Sequence, residues 1–542
     1  MGAKQRKDGY VEGNDYIVSW CVGHLVGLAD AFDYNEKYGK WRREDLPIMP
    51  DTWKHTIFDD KKKQFNTLRR LMNHKDVESL VCATDAGREG ELIFRFVYQM
   101  AGCTKPFSRL WISSMEERAI KAGFANLKDG SEYDPLYHSA NCRAKADWLV
   151  GINATRLFST LYGKTLNVGR VQTPTLALLI ERQQQISGFI KEKYYKVNLD
   201  LGGVEASSEH IQDPQEATKI QTACHNRRAV CHSIIRELKT VTPPKLFDLT
   251  ALQRESNRMF GYTAQQTLTA AQKLYEAKLI TYPRTDSRYI TTDMAAKIPA
   301  LVQAAVGLTA ISAPQTINAE RLVNDEKVSD HHAIIPTLGK SASLSSTESS
   351  ILSLIAVRLL CAVASEHIYE KVTAIFDCNG YSFTAKGKVI IAEGWKSLTN
   401  STENSSALPP LIQGQVFQVT AAKATDHYTQ PPKSHTEATL LSAMESAGAG
   451  LGTPATRAAV IEKLVRSGFV TRSERQLIPT PDGEKLIKIL PASLKSPALT
   501  AEWENALTQI AQGKTRPENF MRSINEMVRM LVSQHTVREE NL

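Results

Sequence analysis

The sequence predicts a multidomain protein of mixed class: an α/β unit at the amino end, then helical units and a β-rich unit. Three observations carry this. At 542 residues the chain is too long for one core, and divides into about three or four domains. Residues 77–83 form an apolar run that ends at Thr84-Asp85-Ala86-Gly87-Arg88-Glu89-Gly90, and a helix opens at Glu91-Leu92-Ile93-Phe94, the strand-turn-helix of an α/β unit. Finally, two segments of alternating pattern flank a mostly helical stretch.

Taken in order, the first unit spans 1–135 and ends after a helix at 116–127. A long helical stretch at 136–187 is interrupted near 163–173. Strand patterning prevails over 194–235 and 373–425, as in Tyr195-Lys196-Val197-Asn198-Leu199, Val389-Ile390-Ile391 and Val416-Phe417-Gln418-Val419. Residues 248–364 between them read as mostly helical, and 399–410, rich in Ser, Asn and Pro, as a surface loop. Helices at 436–444 and 456–467 with a hairpin at 469–481 make a winged-helix-like unit. The units are therefore 1–135; 136–190 with 430–542; 191–245 with 366–429; and 246–365.

A net charge of +8 is compatible with a polyanionic partner, though many proteins without one share it. No stretch reaches the ~20 uninterrupted apolar residues of a membrane span; the nearest, 351–364, is broken by Arg358 and reads as a buried helix. Lys4, Arg6 and Lys7 are followed by no apolar core, so no secretory signal is expected and the cytoplasm is the expected compartment. The 8 cysteines form no C-x-x-C pair, and Cys224-His225 with Cys231-His232 does not match zinc spacing. Gly163-Lys164-Thr165, Gly339-Lys340-Ser341 and Gly513-Lys514-Thr515 each lack the upstream glycine of a phosphate cradle, where Phe158, Ile334 and Thr508 stand. No ATP site is expected.

The chemistry concentrates in two motifs. Leu279-Ile280-Thr281-Tyr282-Pro283-Arg284-Thr285-Asp286-Ser287 sets a phenol and a guanidinium two residues apart. Pro283 biases Tyr282 away from helix, so both side chains can project from one side of an extended turn. A phenol with a pKa near 10 needs a positive neighbour to act as a nucleophile, and Arg284 offers a fork matched to phosphate oxygens. The pattern points to a tyrosine attacking a phosphodiester; plain surface structure is the competing reading. Asp85 and Glu89, in a turn with Gly87 and Gly90, are oxygen ligands of the kind Mg²⁺ accepts, at the strand end where α/β sheets bind ligands.

Together these motifs resemble a type IA DNA topoisomerase, of the bacterial topoisomerase III branch. Further matches come in order along the chain: Ile17-Val18-Ser19-Trp20-Cys21-Val22-Gly23-His24-Leu25, Ala146-Asp147-Trp148-Leu149-Val150-Gly151-Ile152-Asn153, Val168-Gly169-Arg170-Val171-Gln172-Thr173-Pro174, Asp330-His331-His332-Ala333-Ile334-Ile335-Pro336-Thr337, Gln430-Pro431-Pro432 and Gly450-Leu451-Gly452-Thr453-Pro454-Ala455-Thr456-Arg457. The resemblance implies a toroidal core: a Toprim domain holding the metal, a winged-helix domain bearing an insert with the tyrosine, and a β-rich gate domain that hinges the insert away.

It also implies roles. Tyr282 becomes joined to the 5′ phosphate of single-stranded DNA, and Arg284 stabilises the charge that develops on phosphorus. Asp85 and Glu89 hold Mg²⁺ for resealing, and His331 donates to a phosphate oxygen, a buried histidine being the alternative. Asn167, Val168, Gly169, Arg170, Val171 and Gln172 match a DNA-contacting stretch whose backbone N–H groups and Arg170 meet phosphates, with Gln172 reaching a base or sugar. Arg143 and Arg156 line the same path. Trp41 and Trp148 are stacking candidates, with core packing the alternative for Trp148. Arg457 touches DNA or serves a capping loop.

Three departures stand out. The family opens on a strand of Ile-Ala-Glu-Lys-Pro-Ser type, whereas Met1-Gly2-Ala3-Lys4-Gln5-Arg6-Lys7 resembles the segment just after that strand; its glutamate and lysine have no counterpart, and a truncated Toprim unit is expected. The Toprim signature usually carries an aspartate where Gly87 stands, which implies one carboxylate fewer. Residues 447–450, Ala-Gly-Ala-Gly, replace a loop that is often acidic. The expected function is cleavage, passage and resealing of single-stranded or underwound DNA without ATP. A cleavage-deficient DNA-binding remnant is the alternative. A recombinase or relaxase is disfavoured because its Arg-His-Arg set or histidine triad is not evident. The sequence names no protein partner.

Overall fold

The computed structural model describes residues 5–112, 117–328, 330–339, 343–399, 407–448 and 450–535. The first four residues, position 116 of the expected helix, Lys340-Ser341, most of the 399–410 loop and Ala449 lie outside the described residues.

The amino-terminal unit is built from short strands. Gln5–Lys7, Tyr10–Glu12 and Ile17–Ser19 form an antiparallel meander, and Val26–Leu28 pairs with His55–Ile57. The strand expected at 77–83 is shorter, Leu80–Cys82; it runs parallel to Phe107–Arg109 and lies at the edge of its sheet. The helix expected to open at Glu91 starts earlier, as Arg88–Met100, with Gly87 at its N-cap. Glu89 is thus in the first helical turn, where the helix dipole favours a carboxylate. Leu92, Phe94, Phe96 and Val97 bury one face against Leu25, Val26, Phe65 and Cys82.

Helix Asp134–Tyr162 has Pro135 in its first turn, where the missing N–H costs nothing, and ends on Gly163 in the left-handed region, φ 65°. Its buried stripe, with Ala146, Leu149, Val150, Leu157 and Phe158, shares a core with Gln172–Ser187, Pro497–Ala511 and Pro517–Gln534. Each such Leu or Phe contributes about 1.5–3 kcal/mol by burial. The interruption expected near 163–173 is real. Glu437–Ser446, Pro454–Arg466 and the hairpin Val470–Ser473/Gln476–Pro479 pack on the same core, as a winged-helix-like unit requires.

Among the described residues, seven antiparallel strands make the β-rich unit, in the spatial order Val416–Gln418, Arg228–Val241, His367–Cys378, Tyr381–Ala392, Glu205–Ser207, Lys193–Asp200, Ala421–Tyr428. Period-2 alternation puts Val372, Ala374, Phe376 and Cys378 inside. Between the strands lie helices Leu249–Phe260, Ala264–Glu276, Ile298–Gly307 and Ser346–Val363. Ser346–Val363 is, among the described residues, the one helix long and apolar enough to cross a membrane by composition. It packs as a core helix, burying Ile351, Ile355, Leu359 and Val363, as expected for 351–364.

The tyrosine motif is stapled to residues 327–336. Thr281 N–H donates to Ile335 O at 3.0 Å, Thr281 Oγ1 to Ala333 O at 2.9 Å, Thr285 Oγ1 to His331 O at 2.7 Å and Ser287 Oγ to Lys327 O at 2.7 Å. The hydroxyl residues of the motif thereby fix the backbone that presents Tyr282.

Candidate active site

One open groove of about 1810 Å³ joins the two motifs. Its walls include Asp85, Glu89, Arg143, Tyr282, Arg284 and His331, and it runs along the open edge of Leu80–Cys82. Asp85 and Tyr282 stand 197 residues apart in the sequence; the fold brings them to one groove.

The Tyr282 ring lies 4.3 Å from the His331 ring, centroid to centroid, and 5.3 Å from Tyr275. His331 Nε2 is 3.5 Å from Asp85 Oδ1, long for a hydrogen bond, and that buried nitrogen has no hydrogen-bond partner. His331 still holds the Asp85 carboxyl below the usual range. Glu89 Oε1 is 2.5 Å from His24 Nε2, and His24 is the main cause that lowers its carboxyl too. Both acids are therefore carboxylates at neutral pH, hard oxygen donors of the type that divalent cations prefer. Among the described residues no three metal-binding side chains converge on one point.

The phenol behaves differently from the sequence expectation. Burial, and then Asp85, push Tyr282 up to about 12, while Arg284 pulls it down by less. Arg284 is exposed in the groove.

The turn is held from behind by Arg109, a residue that the sequence reading did not single out. Fully buried, it donates from Nη1 to the carbonyls of Cys82 at 3.0 Å, Thr84 at 2.7 Å and Leu110 at 2.9 Å. Nη2 donates to Asp85 O at 2.5 Å. Its Nε forms an ion pair at 3.0 Å with buried Glu91 without the alignment of a hydrogen bond, and Glu91 also accepts from Arg95 Nε at 2.8 Å. An arginine inside the short run Phe107-Ser108-Arg109-Leu110-Trp111 was the available signal. His24 lay in a matched motif but had no role assigned to it.

Several expected DNA contacts are occupied by the protein. Arg170 is buried and paired with Asp147 at 2.8 Å and Glu504 at 3.4 Å, so its charge is already neutralised. Val168 N–H donates to Thr155 Oγ1 and Gly169 N–H to Thr173 Oγ1, which removes those two donors from phosphate binding. Val171 packs against the helical core. Arg156 donates to Tyr38 O at 2.7 Å beneath the half-exposed Trp41 ring. Trp148 donates to Ala29 O and packs edge-on against Tyr34 and Trp53, the core alternative. Arg457 is buried, donating to Leu451 O and Thr250 Oγ1, which fits the capping reading. Asn167 Nδ2 donates to Ser467 Oγ at 3.2 Å. Gln172 is buried with both amide atoms lacking partners. Arg143, only 3.9 Å from Asp147 and Glu504, keeps a face on the groove.

Comparison with known proteins shows the family. The DNA topoisomerase family model matches residues 131–522, and the Toprim domain model matches residues 5–115. The chain belongs to the type IA DNA topoisomerases with a Toprim domain. Among its relatives, DNA topoisomerase 3 of Bacillus subtilis is 39% identical over 587 residues, covering 99% of this chain and 80% of that protein. DNA topoisomerase 3 of Shouchella clausii is 39% identical over 98% of this chain and 78% of its own length. The chain is thus topoisomerase III-like, and the remnant reading is not favoured. Full-length topoisomerase I from Thermotoga maritima shares the fold, with a TM-score of 0.76 at 23% identity over 95% of this chain and 86% of that one.

Proposed function

We propose that Tyr282 is the residue through which this topoisomerase cuts single-stranded or underwound DNA. The observation that carries this is the seating of Tyr282 against His331 and Asp85 in the groove that also holds Glu89 and Arg284. Tyr282 Oη attacks phosphorus; the Oη–P bond forms as the P–O3′ bond breaks. The products are a 5′ phosphotyrosine and a 3′ hydroxyl. With the phenol held near 12, the proton must leave during attack. His331, with its unpartnered ring nitrogen, is placed to receive it and then to donate it to the departing O3′ of the phosphate, which leaves as the 3′ hydroxyl. Arg284 faces the charge that builds on the non-bridging oxygens.

Asp85 and Glu89 would hold Mg²⁺, which supplies positive charge at the scissile phosphate and the 3′ hydroxyl during resealing. The donor set fits: both are carboxylates, flanking a turn at a helix N-terminus. One phosphodiester is exchanged for another, so resealing needs no ATP. Gly163 and Gly513 support this, since both follow helices in the left-handed region, at φ 65° and 69°, rather than opening a phosphate loop. We read four units, at 1–135, 136–190 with 430–542, 191–245 with 366–429, and 246–365, supported by hydrophobic cores centred in each, two of them in the last, and place the protein in the cytoplasm with its DNA.

The test is relaxation of negatively supercoiled plasmid with Mg²⁺ and no ATP. The parent protein relaxes it, chelation stops it, and Tyr282→Phe is inactive. A Tyr282→Phe protein relaxing at the parent rate would remove the assignment.

A further inference from the structure

Gly87 stands midway between Asp85 and Glu89, and the space its side chain would fill is taken by another part of the chain. A Cβ at Gly87 would run into Asp330 Oδ2 and lie 2.9 Å from both Asp330 Cγ and Oδ1, well inside the ~3.5 Å at which such atoms attract. Backbone strain does not explain the glycine. Its φ of −162° and ψ of 176° are extended, and any residue adopts them. What glycine permits here is close approach. The approaching group is a carboxylate, it belongs to the segment that staples the tyrosine motif, and it lines the same groove as Asp85 and Glu89.

We propose that Asp330 is the third carboxylate of the divalent-cation site, delivered onto the Toprim turn by the segment that supports Tyr282. The inference rests on the reading of Asp85 and Glu89 as cation ligands. Its neighbour in sequence, His331, already reaches Asp85, so residues 330 and 331 dock on the turn together. Hard cations take several oxygen ligands; Asp85, Glu89 and Asp330 line one groove without converging on a point, and they would close around a cation only while the tyrosine-bearing segment is seated. Cation binding and closure of that segment are then linked: whatever lifts 330–336 off the turn removes a ligand, and a bound cation holds the segment down by the same free energy. Glu89 would exchange His24 for the cation as the site fills. The device gives the enzyme a reason to hold the cation tightly when the gate is shut and loosely when it is open.

The experiment measures Mn²⁺ affinity of the full chain without DNA, by the electron paramagnetic resonance signal of free Mn²⁺. Four proteins are compared at equal folded concentration: parent, Asp85→Asn, Asp330→Asn, and the relocation variant Gly87→Asp with Asp330→Ala. Asp85→Asn and Asp330→Asn should each weaken Mn²⁺ at least about tenfold. The relocation variant, which returns a carboxylate to the same space from the Gly87 side, should recover most of the loss. Unchanged affinity in Asp330→Asn, with Asp85→Asn weakened, overturns the inference and leaves the cation site intact. Loss in Asp330→Asn without recovery in the relocation variant also overturns it, because general loosening of the segment gives that result. If Asp85→Asn binds Mn²⁺ like the parent, the cation-site reading itself fails.

Discussion

Tyr282 and His331 meet ring to ring, 4.3 Å apart with planes tilted by 45°, and the contact is enforced by hydrogen bonds from the hydroxyls of the tyrosine motif to the carbonyls of Lys327, His331 and Ala333. A proton acceptor set this way should contribute to the cleavage step and little to DNA binding. His331→Ala is expected to slow single-strand cleavage by about 10²–10⁴-fold while affinity for an oligonucleotide stays within a few-fold. Single-turnover cleavage beside a binding titration checks this, and cleavage at the parent rate would exclude His331 from the chemistry.

Arg109 braces the turn that carries Asp85. Replacing it with methionine keeps bulk but takes one donor from each of the carbonyls of Cys82, Thr84 and Asp85 and leaves Glu91 with Arg95 alone. Loss of one partner of a buried pair costs about 3–5 kcal/mol. Arg109→Met should therefore show a large drop in the denaturant midpoint; Glu91→Gln with Arg109→Met should recover part of it.

Salt dependence separates the arginines that face DNA from those that hold the fold. Arg143 lines the groove, whereas Arg156 and Arg170 are engaged by Tyr38, Asp147 and Glu504. Arg143→Ala should reduce the slope of log affinity against log salt by about 0.7 for single strands. Arg156→Ala and Arg170→Ala should leave that slope unchanged and lower the melting temperature instead.

Acid stability has an identifiable contributor. Burial, aided by Arg182, lowers His435 from 6.5 to about 4. As pH falls below 6.5 the unfolded chain takes up a proton that the folded chain refuses until about 4, so stability drops across that window and levels off beneath it. In His435→Gln the decline in urea midpoint between those pH values should be shallower than in the parent.

Much of this was legible in residue order. The Tyr-Pro-Arg turn, the acidic turn at 85–89 and the alternation of 373–378 each arise from local rules, and the structure keeps all three. Side-chain commitments were not legible. Arg170 and Arg457 sit in motifs that look basic and exposed, but Asp147, Glu504, Leu451 and Thr250 claim them through contacts distant in sequence. Trp148 reads equally as a stacking platform or as core until Ala29, Tyr34 and Trp53 are seen around it. Asp330 opens a matched motif, but no role for it could be read from the sequence. Its partner is an empty side-chain position at Gly87, and an absence in one segment says nothing about what fills it from another.

The most direct measurement is covalent capture. Folded protein is incubated with single-stranded oligonucleotides labelled at either the 5′ or the 3′ end, denatured, and separated. Tyr282 attack predicts that only the fragment carrying the newly exposed 5′ phosphate, retained with the 3′ label, stays on the protein, through a peptide containing Tyr282, and that Tyr282→Phe traps none. Capture of the 5′-labelled fragment, or undiminished capture by Tyr282→Phe, would contradict the assignment.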